Sequence, residues 1–132
     1  NKNITKMFCI NCNTSNEVLI ELLLKNDIDI KFYQNILLQL FHGSHCKNEN
    51  CKYKYCTFSK RLWYHIWNCN LNYKCEICEI KNCNLSKILF THWSDCDNIN
   101  CLLCYKVNNL LKYIDDKTGI YNGSLNMLEN FE

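Results

Sequence analysis

The chain has 132 residues, which is enough for one modest domain. Twelve of them are cysteines, a share at which short chains are typically held together by disulfide bonds or metal ions. The formal net charge is +2, and no run of 18 apolar residues occurs, so the composition excludes a membrane-spanning segment.

Helical spacing of apolar residues recurs along the chain and predicts helices over residues 17–27, 27–46, 57–69, 84–96 and 102–114. Gly43 is expected to weaken or end the second helix. The apolar stripes include Trp63, Trp67 and Trp93, which we expect mainly to pack the helices together. The sequence contains no convincing ladder of strands. It therefore predicts an all-α fold with cysteine-rich connections between helices.

Two segments share the frame Cys-x8-His-x3-Cys: "CTFSKRLWYHIWNC" at 56–69 and "CNLSKILFTHWSDC" at 83–96. In a helix, His65 and Cys69 lie on one face and can bind the same ion. The opening Cys56 cannot join them, because nine helical positions span about 13.5 Å. Ligand atoms on one tetrahedral zinc lie only about 4 Å apart. Each helix is therefore predicted to be a spacer of fixed length between two metal sites.

This reasoning assigns one histidine and three cysteines to each of three zinc sites. Site one is predicted to contain His42, Cys46, Cys51 and Cys56. Site two is predicted to contain His65, Cys69 and Cys83 with either Cys75 or Cys78. Site three is predicted to contain His92, Cys96, Cys101 and Cys104. For site two we favour Cys78, because its spacing to Cys83 equals that of Cys51 to Cys56.

Disulfide bonds are the alternative use of twelve cysteines. They do not require a histidine four residues before each of three cysteines, so we prefer zinc. A catalytic zinc and an enzyme are not expected, since four protein ligands leave no open position. His45 is expected to be a bystander. Cys9 and Cys12 are either half of a fourth site with Cys75 and His45, free thiols, or ligands that belong with a neighbouring domain.

The pattern resembles the TAZ zinc finger, the transcriptional adaptor zinc-binding domain of CREB-binding-protein-type coactivators and plant BTB-TAZ adaptors. The segments that carry it are "ILLQLFHGSHC", "CKYKYC", "CTFSKRLWYHIWNC", "CEIKNC", "CNLSKILFTHWSDC" and "CDNINCLLC", within about residues 30–115. The final Cys-x2-Cys looks more like the first TAZ domain of those coactivators than the second. The connection 69–83 looks about three residues longer than is usual in the family.

The resemblance implies a small four-helix domain with a structural zinc ion in each of three connections. We expect residues 30–116 to form it, after an extension with one short helix at 1–29 and before a tail at 117–132. The resemblance also implies a nuclear, non-enzymatic coactivator or adaptor module, monomeric, that binds disordered acidic amphipathic segments of transcription factors.

Two other functions stay open. Residues 47–87 hold eight lysines and arginines against three glutamates, which is also compatible with nucleic acid. An adaptor role in a ubiquitin-ligase or BTB-type assembly would use the same domain with a different partner. The tail is acidic and hydrophobic, so it is a candidate to occupy the binding groove of the domain itself.

Overall fold

A computed structural model describes residues 13–25 and 29–112 of the chain, and these residues form five α-helices and no strands. The helices are α1 (Asn16–Leu24), α2 (Ile30–His45), α3 (Cys56–Asn68), α4 (Cys83–Asp95) and α5 (Cys104–Leu111). The predicted all-α class is therefore confirmed. Helix α5 begins two residues later than predicted, and residues 26–28 and 113–114 of the predicted helices lie outside the described part. In the described ranges, each helix is too short or too polar to cross a membrane.

Cysteines mark the helix boundaries. Helices α3, α4 and α5 each begin on a cysteine, and α2, α3 and α4 each end one residue before a cysteine. At two of these ends the cysteine N–H closes the last turn, with Cys46 N donating to His42 O at 2.8 Å and Cys69 N to His65 O at 2.9 Å. The closed turn keeps each histidine beside the cysteine that follows it by four residues.

Helix α2 lies at the centre of the fold and contacts α3, α4 and α5, while α1 packs against α4. The largest fully buried side chains come from α1, α2, α4, α5 and the loop before α5: Leu19, Leu23, Ile36, Leu38, Leu40, Cys83, Ile88, Leu89, Leu103, Cys104 and Val107. One continuous core therefore reaches from α1 to α5, and it includes Cys56 and Cys104, which begin α3 and α5.

The aromatic stripes divide between core and surface. Trp63 and Trp93 are half-buried against the core, and Phe90 lies between them with ring centroids 5.3 Å and 5.7 Å away. Trp67 is 65% exposed, so the expectation that it packs the helices is wrong.

Gly43 does not end α2, which continues to His45. The glycine is needed because α3 crosses α2 at this point. A Cβ atom placed on Gly43 would meet the Ser59 carbonyl group and lie 3.0 Å from Lys60 N. The residue therefore marks a close backbone approach, and the expected helix end at Gly43 is wrong.

We expect Gly43→Ala to destabilise the zinc-loaded domain by about 2 kcal/mol, because overpacking forces α2 and α3 apart. Helix propensity alone predicts the opposite sign, a gain of about 1 kcal/mol. Urea unfolding measures the difference. Thr91→Ala, at an exposed position of α4, is the matched control and should be neutral or slightly stabilising. A stabilised Gly43→Ala variant would contradict the close approach.

Candidate metal centre

Three groups of one histidine and three cysteines come together in the fold. Within each group the ligand atoms, one from each residue, all lie within 4.8 Å of one another. The groups are His42, Cys46, Cys51 and Cys56; His65, Cys69, Cys78 and Cys83; and His92, Cys96, Cys101 and Cys104. They coincide with the sets that the spacing predicts, and the second contains Cys78, not Cys75.

Each group joins the end of one helix to the start of the next. In site one, His42 comes from the last turn of α2, Cys46 follows that helix, Cys51 lies in the loop, and Cys56 begins α3. The His42 Nε2 atom lies 3.6 Å from Cys51 Sγ, and Cys46 Sγ lies 3.9 Å from Cys56 Sγ. These separations are close to the roughly 4 Å expected around one tetrahedral zinc.

Asparagines shape the loops of sites one and three in the same way. Asn48 Oδ1 accepts a hydrogen bond from Asn50 N at 3.0 Å, and Asn98 Oδ1 accepts one from Asn100 N at 2.9 Å. In both loops the N–H of the next cysteine donates to the backbone carbonyl of the same first asparagine. These Asx turns aim the loop cysteine at its site. The repeated Asn-x-Asn-Cys is visible in the sequence, but sequence analysis assigned it no role.

Hydrogen bonds hold the longer connection of site two against α4. Asn84 Nδ2 donates to Tyr73 O at 3.0 Å and to Glu76 O at 2.7 Å, while Asn84 Oδ1 accepts from Cys78 N at 3.0 Å. Cys78 Sγ then lies 3.3 Å from His65 Nε2. One side chain at the start of α4 thus holds the loop that presents Cys78, a role that sequence analysis missed.

The remaining residues considered for metal binding lie outside the three groups. Cys75 is disulfide-bonded, which removes its sulfur from the available thiols. His45 stacks on Phe41 with ring centroids 4.1 Å apart. Cys9 and Cys12 lie outside the described residues, as does the tail 117–132.

Burial makes the ionised form of the deepest thiols costly. It raises the pKa of Cys56 to about 11 and that of Cys83 to about 12, and it also raises the pKa of Cys104. Burial together with the Lys60 charge lowers the pKa of His42 to about 4, which keeps the imidazole neutral and able to bind a metal. Thiolates buried this deeply require a cation.

Two thiols are easier to ionise. Burial opposes ionisation at Cys69, but hydrogen bonds from the Leu71 backbone and from Lys87 outweigh it and lower the pKa to about 7. At Cys101 burial opposes ionisation, but the neighbouring His92 ring and hydrogen bonds from the Leu103 and Cys104 backbone outweigh it and lower the pKa to about 7. These two thiols therefore ionise at a lower free-energy cost than the deeply buried ones.

The donor chemistry fits zinc. Nine free thiols and three imidazoles are arranged as three sets of four, and sulfur and nitrogen donors at tetrahedral spacing are typical of structural zinc sites. The three groups therefore fit three zinc ions. Fold and sites together define a small helical zinc-binding domain in which the connections between helices are the metal centres.

Comparison with known proteins places this domain in a family. The family model of the TAZ zinc finger matches residues 33–104, more than half of the chain. The chain belongs to the TAZ zinc finger family. Searches of the curated proteins and of the solved structures give no significant match.

Proposed function

We propose that the chain is a non-enzymatic scaffold of a nuclear transcriptional coactivator or adaptor, which binds acidic amphipathic segments of transcription regulators. Residues 30–116 are its zinc domain, and the twelve residues of the three groups are the zinc ligands. Family membership supports the general role of a zinc-dependent interaction module. The closeness to the first TAZ domain of coactivators remains a prediction from the Cys101–Cys104 spacing.

Our proposal for the kind of partner rests on a groove beside site three. It has a volume of about 500 Å³ and lies between the start of α2, the loop of site three and α5. Three apolar side chains along it are largely exposed: Ile99 at 81%, Leu102 at 63% and Tyr105 at 53%. Exposed apolar side chains grouped in a groove are typical of protein-binding surfaces.

The groove is firmly held and is lined by two lysines. Buried Gln34 donates to Leu102 O at 3.0 Å and to Leu103 O at 3.2 Å, which fixes the site-three loop on α2. Lys31 and Lys106 belong to the lining and are exposed, and the lining contains no acidic residue. An amphipathic helix with apolar anchors and flanking carboxylates complements such a groove.

Nucleic acid complements the loaded domain less well. Three thiolates and one zinc carry a net charge of about −1, so three loaded sites cancel half of the +6 that eleven lysines and arginines and five acidic residues give residues 31–112. The groove keeps its two lysines, but the described helices carry no dense row of arginines and lysines of the kind that reads a DNA groove.

Fluorescence anisotropy with a labelled acidic amphipathic peptide tests the proposal on the zinc-loaded chain. We expect the double variant Ile99→Ser, Leu102→Ser to weaken binding at least tenfold, because it removes the apolar contacts. Lys31→Glu with Lys106→Glu should weaken binding by about tenfold and flatten its dependence on salt.

The matched control is Ile77→Ser with Ile80→Ser, which removes two exposed isoleucines from the connection of site two. It should leave affinity unchanged. Equal losses in the control and groove variants would contradict the groove as the contact surface. A loss confined to Trp67→Ala would instead place the partner on α3. Tight, salt-dependent binding to nucleic acid without peptide binding would overturn the proposed function.

A further inference from the structure

Helix α1 precedes the residues that match the TAZ family, yet it packs against α4 beside site three. Leu19, Ile20 and Leu23 are buried in the common core, with exposed fractions of 0%, 3% and 1%. Asn16 Nδ2 also donates to Ile88 O at 3.1 Å. Apolar and polar contacts therefore hold α1 at a defined position on α4.

The next residue of α1 reaches a histidine of the metal centre. Glu17 Oε1 lies 3.1 Å from His92 Nδ1, and the other ring nitrogen, Nε2, lies 3.5 Å from Cys101 Sγ. With Nδ1–H donating to the carboxylate, Nε2 is left unprotonated and faces the thiols. Among the described contacts, neither His42 nor His65 has a carboxylate partner at Nδ1.

We propose that Glu17 is a positioning residue for site three, which holds the ring and the tautomer of His92 and thereby couples the docking of α1 to zinc binding. The proposal rests on the assignment of His92 as a zinc ligand. A carboxylate that accepts from the outer nitrogen of a zinc-binding histidine orients the ring and strengthens the ligand. Because coupling is reciprocal, zinc at site three stabilises docked α1 by the same factor.

The test measures zinc affinity in the full chain by competition with a chromophoric chelator. ¹¹³Cd NMR distinguishes the three sites. We expect Glu17→Ala to weaken one site by about tenfold and to leave the other two unchanged. Glu17→Gln keeps a carbonyl oxygen at the same place and should recover most of the loss. Glu21→Ala removes the same charge from an exposed position of the same helix and is the matched control.

Two further measurements separate positioning from general support. The Nδ1–H proton of His92 should exchange with water faster in Glu17→Ala, because it loses its acceptor, and the amides of α1 should exchange hydrogen faster in that variant than in Glu21→Ala. If all three affinities stay within twofold, or if both alanine variants lower them equally, the coupling is wrong. A wild-type chain that binds fewer than three zinc ions would instead contradict the ligand assignment.

Discussion

Removal of zinc is expected to unfold the described domain. Structural zinc contributes about 10–16 kcal/mol of apparent binding free energy in zinc-finger peptides at neutral pH, whereas a whole domain is typically stable by only about 5–15 kcal/mol. Without a cation, nine thiols in three clusters no longer link the helices. The helical circular dichroism signal should therefore fall when a strong chelator is added under reducing conditions, and it should return with stoichiometric zinc.

Magnesium is the control ion for this experiment. It prefers oxygen ligands in octahedral geometry, so it should not restore the helical signal. A metal-free chain that keeps both its helix content and a cooperative thermal transition would show that the apolar core is sufficient. The three metal-binding groups would then not be required for folding.

Substitutions in the connection of site two are expected to distinguish the roles of Cys75 and Cys78. Cys78→Ser should reduce the zinc content from three ions to two in native mass spectrometry, because Cys78 Sγ lies 3.3 Å from His65 Nε2 within the four-residue group. Cys75→Ser, three residues earlier in the same connection, should keep three ions. The two variants match in chemistry and local sequence, and both are measured in reducing buffer.

The reverse pattern, with an ion lost from Cys75→Ser alone, would assign the fourth ligand to Cys75. Melting temperature provides a second measurement. Loss of site two frees the connection between α3 and α4, so Cys78→Ser should melt well below the wild-type chain. Cys75→Ser should stay close to wild type.

The sequence predicted most of the helix ends, because metal geometry constrains them. A cysteine that starts a helix and a histidine nine positions later cannot share an ion, so the spacing alone divides α3 and α4 between neighbouring sites. The same argument predicted which residues come together. It favoured Cys78 over Cys75 only by analogy with the spacing of Cys51 and Cys56, because both cysteines lie in the same connection.

Local structure explains why this ambiguity was unavoidable. Lys74 N donates to Asn72 Oδ1 at 3.1 Å and Cys75 N donates to Asn72 O at 3.1 Å. This is the same turn that precedes the loop cysteines of sites one and three, yet here Cys78 joins the group. Asn84, which holds Cys78 in place, lies across the connection, and its effect depends on the fold.

Tertiary contacts account for the other differences. A stripe of apolar residues does not reveal how much of a helix its neighbours cover, so the exposure of Trp67 was not predicted. The low helix propensity of glycine suggested a helix end at Gly43. The crossing of α3 over Gly43 is a tertiary contact, so the sequence around Gly43 does not reveal it. Glu17 and His92 are 75 positions apart, and no periodicity connects them.

The fixed length of α3 and α4 has a genetic consequence. Deleting one codon inside α4 would shorten it by about 1.5 Å and rotate everything beyond the deletion by about 100°. Cys83 and His92 could then no longer bind at site two and site three at the same time, although the gene would still encode every ligand. An added codon at residues 70–71, before the turn at Asn72, would only lengthen a loop. Insertions are therefore expected to be tolerated at residues 70–71 and to abolish folding of the domain inside these two helices.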